Sequence, residues 1–81
     1  MTNIIALIPV YNESKTIKTV IQKTKHLVNQ VIVCDDGSND SSAQIAKTAG
    51  AQVIRHETNQ GYGATIQTLF QAAIELSLIH I

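Results

Sequence analysis

Two apolar runs mark the first half of the chain, and each breaks off abruptly into polar residues. Ile4-Ile5-Ala6-Leu7-Ile8 leads into Pro9-Val10-Tyr11-Asn12-Glu13, and Val31-Ile32-Val33-Cys34 leads into Asp35-Asp36-Gly37-Ser38. Neither run alternates polar with apolar positions, so both read as strands covered on two faces, as in a parallel sheet flanked by helices. The first strand is predicted over about Asn3 to Ile8, because Pro9 lacks a backbone donor and should end the ladder. Between the runs, Ile17, Val20, Ile21, Thr24, Leu27 and Val28 recur at helical spacing. They predict a helix from about Ser14 to Leu27 with those residues as its buried stripe, capped by Asn12 or Ser14.

The pattern then repeats. Ser41 starts a second helix, and Gln44 stands at the capping-box position three residues on. Ile45, Ala46 and Ala49 form its apolar side, and Gly50 stands where a left-handed residue should end it. Ala51 to Arg55 reads as a third strand, shorter and more polar, hence nearer the sheet edge. After a loop from His56 to Tyr62, a last helix is predicted from about Gly63, with Ile66, Leu69, Phe70, Ala73 and Ile74 buried. The order β-α-β-α-β-α with short connections predicts an α/β fold: a parallel, three-layer sandwich with right-handed crossovers. Three strands with bare edges suggest the front half of a larger domain.

Composition narrows the function classes. Six basic and six acidic residues cancel, which argues against a nucleic-acid or anionic-membrane binder driven by charge. The single cysteine, Cys34, rules out an internal disulfide or a cysteine-based zinc site, and it reads as a small buried hydrophobe. No apolar run approaches the ~20 residues of a membrane span, and no basic segment precedes a long apolar core at the N-terminus. A cytoplasmic location is expected. His26, His56 and His80 lack metal-ligand spacing and read as surface or loop residues.

The candidate chemistry lies where the strands end. In parallel α/β sheets ligands bind beyond the carboxyl ends of the strands, so the two polar clusters read as one site. Asp35 and Asp36 repel one another, and neither has an obvious lysine partner nearby in sequence. They can serve a ligand, or a loop in which Asp36 and Ser38 satisfy backbone donors around Gly37. Beside Tyr11 and Glu13 the ligand reading prevails. Tyr11 can stack on a flat ring, while Glu13 and Asp36 accept from base N–H or ribose hydroxyl groups. A third cluster, Asn59-Gln60-Gly61-Tyr62-Gly63, allows close backbone approach at a helix start. It is neither a dinucleotide fingerprint nor a Walker loop.

In this order and spacing, Pro9 to Glu13, Val33 to Asp40 and Asn59 to Ala64 resemble the family 2 glycosyltransferases of the GT-A fold, over about Asn3 to Ala73. The last segment is most similar to the branch that transfers sugars to polyprenyl or dolichyl phosphate. The resemblance implies the βαβαβα half of a Rossmann-like nucleotide-sugar domain and inverting transfer from a UDP- or GDP-linked sugar. It implies that Pro9, Tyr11 and Glu13 line the nucleoside pocket, and that Asp35 and Asp36 meet base and ribose, Asp36 most directly. Gly61 and Gly63 would lie near the nucleotide, where many relatives carry a basic residue. It also implies Mg or Mn held by an Asp-x-Asp motif on a further strand, and a catalytic base beyond it. Neither motif occurs here, so no catalytic residue and no metal ligand is assigned.

Residues 1–75 are therefore read as the N-terminal half of a GT-A domain and residues 76–81 as an atypical tail. Inverting displacement needs a base and a cation on the leaving diphosphate, so the 81 residues alone are expected to bind without turnover. Bare sheet edge and apolar helix faces predict a homodimer or oligomer, and a lipid-phosphate acceptor would bring the parent protein to a membrane. Two other classes are compatible with the pattern. A receiver-like signalling domain would want a further aspartate and a lysine at later strand ends and leaves Tyr11-Asn12-Glu13 without a role. A non-catalytic self-associating module would use the sheet edge.

Overall fold

β2 organises the molecule. The computed structural model describes residues 4–79, with side chains for residues 4–75. Its elements are β1 Ile5–Val10, α1 Ile17–Lys25, β2 Gln30–Asp36, α2 Ser42–Thr48, β3 Gln52–His56 and α3 Tyr62–Ile79. Asn3, His80 and Ile81 lie outside the described residues, and 76–79 continue the backbone of α3. The strands are parallel in the order β1-β2-β3. β2 is buried from Val31 to Asp36, while β1 and β3 are only partly covered. Register pairs Val10 with Asp35 and Asp36 with His56, so the three strands end together.

The continuous apolar runs serve two faces. Val31, Val33, Ala6, Ile8, Val10 and Val53 face a core completed by Ile17 and Ile21 of α1 and Ala46 of α2. Ile32, Cys34, Ile5, Leu7 and Ile54 face the other core, under Leu69 and Ala72 of α3. The expected three-layer α/β sandwich is present.

Pro9 does not end the ladder, contrary to expectation: it pairs with Cys34 in the register of β1 on β2. The Ile4 carbonyl accepts the Gln30 N–H at 3.3 Å. Strand alternation then turns the backbones of Ala6, Ile8 and Val10 toward β2 and that of Pro9 toward the outer edge, where no donor is required.

The helices are shorter or differently phased than periodicity implies. α1 begins only at Ile17, after a turn in which the Glu13 carbonyl accepts the Thr16 and Ile17 N–H groups at 3.0 and 2.9 Å. Neither Asn12 nor Ser14 caps it. Ile17 and Ile21 are buried, but Val20 is 42 % exposed and Leu27, beyond the helix end, 78 %. On α3 the buried stripe is Thr65, Leu69 and Ala72, leaving Phe70 and Ile74 outside at 59 % and 57 % exposure. A narrow sheet receives one stripe of each helix, and small Thr65 and Ala72 let α3 sit close.

α2 lacks the expected capping box. Ser41 makes no side-chain cap bond, and Asp40 accepts the Ser42 N–H at 2.9 Å instead. Its other end follows expectation: Gly50 takes φ 104°, with Gly50 N–H to Lys47 O and Ala51 N–H to Ala46 O, each 3.1 Å. That is the double bond pattern of a Schellman motif.

Candidate functional site

Because Val10 and Asp35 are register partners, the chain leaves β1 and β2 side by side, and the two loops knit together. Asn12 N–H donates to Ser38 Oγ and Asn39 N–H to Asn12 Oδ1, both at 2.8 Å. Glu13 N–H donates to Ser42 Oγ at 2.8 Å and Ser14 N–H to Asp40 Oδ2 at 3.2 Å. Asn12 takes φ 52°, a left-handed conformation that asparagine tolerates better than most residues. Its role is to join the loops.

Asp35 and Asp36 are adjacent but serve opposite faces, as consecutive strand residues must. Asp35 is fully buried. It accepts the Ser38 N–H at 3.1 Å and the Ser38 hydroxyl. Its Oδ2 has no hydrogen-bond partner and lies 3.5 Å from Arg55 Nε, while Arg55 also donates to the Ser38 carbonyl at 3.0 Å. This aspartate holds the turn at Gly37.

Asp36, on the other face, carries the third loop. Its Oδ1 accepts the Gln60 N–H and pairs with His56 Nδ1, and its Oδ2 accepts the Gly61 N–H, all at 2.9 Å. The Gln60 N–H foremost, then His56, hold its carboxyl below the ordinary carboxylate range, against the opposing effect of burial. The loop reading is thus corrected in its residue: Asp35, not Asp36, accepts at the Gly37 turn, while Asp36 accepts donors of the third loop and lines the cleft.

His56 is not a bystander in a loop, as its sequence position implies. It ends β3 beside Asp36, and its Nε2 lies 2.9 Å from Thr68 Oγ1 and 3.7 Å from Cys34 Sγ. The signal that could have found it is register: a strand parallel to β2 and ending at the same edge sets its last residue against Asp36. Cys34, His56 and Asp36 stand in the order of a nucleophilic triad, yet Cys34 is fully buried. Burial first, then the Asp36 and Asp35 charges, push its thiol up to about 11. A sealed, protonated thiol is not a nucleophile, and Cys34 is the core hydrophobe that its place in the strand suggests.

Over Asp36 lies an open cleft of about 390 Å³. Pro9, Val10, Tyr11 and Glu13 form one wall, and Asn59, Gly61, Tyr62 and Thr65 the other. Of the seven expected site residues, Pro9, Tyr11, Glu13, Asp36 and Gly61 are brought together here; Asp35 and Gly63 are not among its lining. Tyr62, which sequence reasoning gives no contact role, also lines the cleft at 72 % exposure, together with Tyr11 at 45 %. Gly37 permits the close approach: at φ 75°, a Cβ there would lie 2.6 Å from Asn59 N. The cleft thus offers carboxylate acceptors and aromatic rings at the ends of parallel strands, a setting for a flat ligand rich in N–H and O–H donors.

The described residues do not fit a divalent cation. Among them no group of three or more His, Cys, Asp or Glu side chains is placed to hold a metal. Asp36 already fills three of its roughly four acceptor positions with protein donors, and Asp35 is sealed beneath the turn. No helix among the described residues is long and apolar enough to cross a membrane.

A sequence model of the family described as Glycosyl transferase family 2 matches residues 5–75. The chain is 32 % identical to a UDP-N-acetylglucosamine–dolichyl-phosphate N-acetylglucosaminyltransferase of Methanococcus voltae, over 86 % of this chain and 35 % of that protein. It is 36 % identical to an uncharacterized protein of Methanocaldococcus jannaschii, over 88 % of this chain and 30 % of that one. Among solved structures it resembles glucosyl-3-phosphoglycerate synthase from Mycobacterium tuberculosis in complex with Mn²⁺, UDP-glucose and phosphoglyceric acid. That match has a TM-score of 0.70 and 31 % identity over 79 % of this chain and 27 % of that one. The chain spans about a third of the length of the curated relatives named here.

Proposed function

We propose, from the premise that this chain belongs to glycosyl transferase family 2, that it forms the nucleoside-binding part of an enzyme transferring a sugar from a UDP- or GDP-linked donor. The observation that carries this reading is the cleft at the strand ends, where Tyr11, Glu13, Asp36 and Gly61 converge. Tyr11 stacks on the base, and Tyr62 lines the same cleft. Asp36 and Glu13 accept from base N–H and ribose hydroxyl groups, and Pro9 shapes the wall. Gly61 and Gly63 keep the start of α3 open to the diphosphate, while Asp35 contributes by holding the turn.

Residues 1–75 then constitute the N-terminal half of a GT-A domain. The relatives' names support a polyprenyl or dolichyl phosphate acceptor, hence a parent acting from the cytoplasm at a membrane. Mg or Mn would steady the leaving diphosphate in the whole enzyme; the carboxylates described here are otherwise engaged. Self-association through the outer edge of β1 or the outer face of α3 is a separate expectation. Sedimentation at tens of micromolar tests it, and a stable monomer would refute it.

Thermal unfolding of the chain with UDP or GDP tests the nucleoside reading, since a ligand of the native state raises stability with the logarithm of its concentration. One of the two nucleotides is expected to raise the midpoint progressively, and Asp36→Ala to abolish the rise. A cooperative transition unmoved by either nucleotide would refute the reading.

A further inference from the structure

One titratable side chain beside the cleft has no part in the reading above. His56 is nearly buried, its side chain 10 % exposed, and touches three side chains on two elements: Asp36 and Cys34 of β2 and Thr68 of α3. An ionised carboxylate only accepts, so Nδ1 must carry a proton toward Asp36. In the neutral ring Nε2 is then the acceptor, and the Thr68 hydroxyl donates to it. The ring is therefore held from both ends.

The consequence is read at Asp36. Of roughly four acceptor positions on the carboxylate, His56 and Gln60 N–H occupy Oδ1 and Gly61 N–H takes one position on Oδ2. One position on Oδ2 is left, and Asp36 lines the cleft. We propose that His56 is the positioning residue of the nucleoside site: by donating from Nδ1 to Oδ1 it fixes the plane of the Asp36 carboxylate, so that a single Oδ2 lone pair faces the ligand's donor. The same contact keeps the Gln60–Gly61 backbone folded under the carboxylate, so the far wall of the cleft stands before the ligand arrives. A site pre-formed in this way avoids ordering costs on binding. The proposal rests on the nucleoside reading.

The test is calorimetric titration of UDP and GDP into the chain and three His56 variants, with Asp36→Ala as reference. His56→Asn keeps a donor near Nδ1, whereas His56→Gln keeps one near Nε2 and His56→Ala keeps neither. Affinity is expected to fall about tenfold or more in the Ala and Gln variants, the order expected for a lost bond to a charged group. In the Asn variant it should stay within about threefold of the parent chain, as rescue at Nδ1 alone requires. Equal losses in all three variants, or no loss in any while Asp36→Ala abolishes binding, would overturn the role of His56 and leave the nucleoside reading standing. A folded parent chain that binds neither nucleotide would overturn both. Nitrogen-15 imidazole spectra of the unliganded parent chain give a readout independent of variant folding: His56 should be the Nδ1–H tautomer. An Nε2–H tautomer in the parent chain would overturn the proposal.

Discussion

Asp36 and Asp35 differ by one position and by the face of the sheet that each serves. The alternation of a strand sends Asp35 under the Gly37 turn, where it holds Ser38, and sends Asp36 to the cleft, where it holds Gln60, Gly61 and His56. The sequence announces a pair of carboxylates; only the strand's extension to Asp36 assigns their separate roles. Gly37 and Gly61 make a similar contrast. Both have positive φ, but a Cβ at Gly37 would strike the Asn59 and Thr58 backbone, whereas at Gly61 nothing lies within 4 Å. Gly61→Ala is expected to cost about 1–2 kcal/mol of conformational strain, and Gly37→Ala clearly more, as urea unfolding of the two variants will read; equal costs would contradict the close approach of the loops. Asp40 supplies a pH signature. Bonds from the Ser42 hydroxyl, then the Ser42 and Ser14 N–H groups, lower its carboxyl from 3.8 to about 2. A depressed folded value means its contribution is fully present above the ordinary value and is lost as pH falls through the folded one. The stability difference between the parent chain and Asp40→Ala should thus be constant above about pH 5 and shrink toward pH 2; a difference independent of pH down to 2 would contradict these bonds.

At the scale of elements, hydrophobic periodicity reveals that each helix exists and misjudges which residues it buries. Six positions on and after α1 share helical spacing, but the sheet takes only Ile17 and Ile21 fully. Ile21→Ala is expected to cost about 2–5 kcal/mol, and Val20→Ala or Leu27→Ala less than about 1 kcal/mol. On α3, Leu69→Ala should likewise destabilise far more than Phe70→Ala, although phenylalanine is the larger residue. Denaturant unfolding of these variants checks both stripes, and a cost at Phe70 matching that at Leu69 would place the wrong face inward. Pro9 failed as a stop signal because strand position matters more than residue type: at an outer edge its missing donor costs nothing. The caps show the same limit. Gly50 could be read from sequence because only its own backbone and α2 are involved, whereas Asp40, which accepts the Ser42 N–H at the other end, is also held by the Ser14 N–H from a loop 26 residues away.

In the whole molecule, three parallel strands end at one edge, and the loops after β1 and β3 wall a cleft over Asp36 of β2. The parallel α/β order and all three loop clusters are legible in the sequence, the first two because a buried strand that breaks into polar residues marks itself, the third by its paired glycines at a helix start. The anchoring of the third loop on Asp36 is not legible, since it depends on the pairing of Asp36 with His56 across β2 and β3. The outer face of α3 leaves Tyr62, Phe70 and Ile74 exposed, and the chain corresponds to about a third of its named relatives. Family membership weighs against the receiver-like alternative, which also had no use for Tyr11 and Glu13.

The proposed occupant of the cleft over Asp36 is a nucleoside. The most direct measurement is a map of backbone amide shifts in a nitrogen-15-labelled chain titrated with UDP and with GDP. One nucleotide should move the amides of Tyr11, Glu13, Asp36, Asn59, Gly61, Tyr62 and Thr65, with Asp36→Ala silencing the response. Shifts clustered instead at the opposite end of the sheet, around Lys25, Asn29 and Gly50, or no shifts in a folded chain, would contradict it.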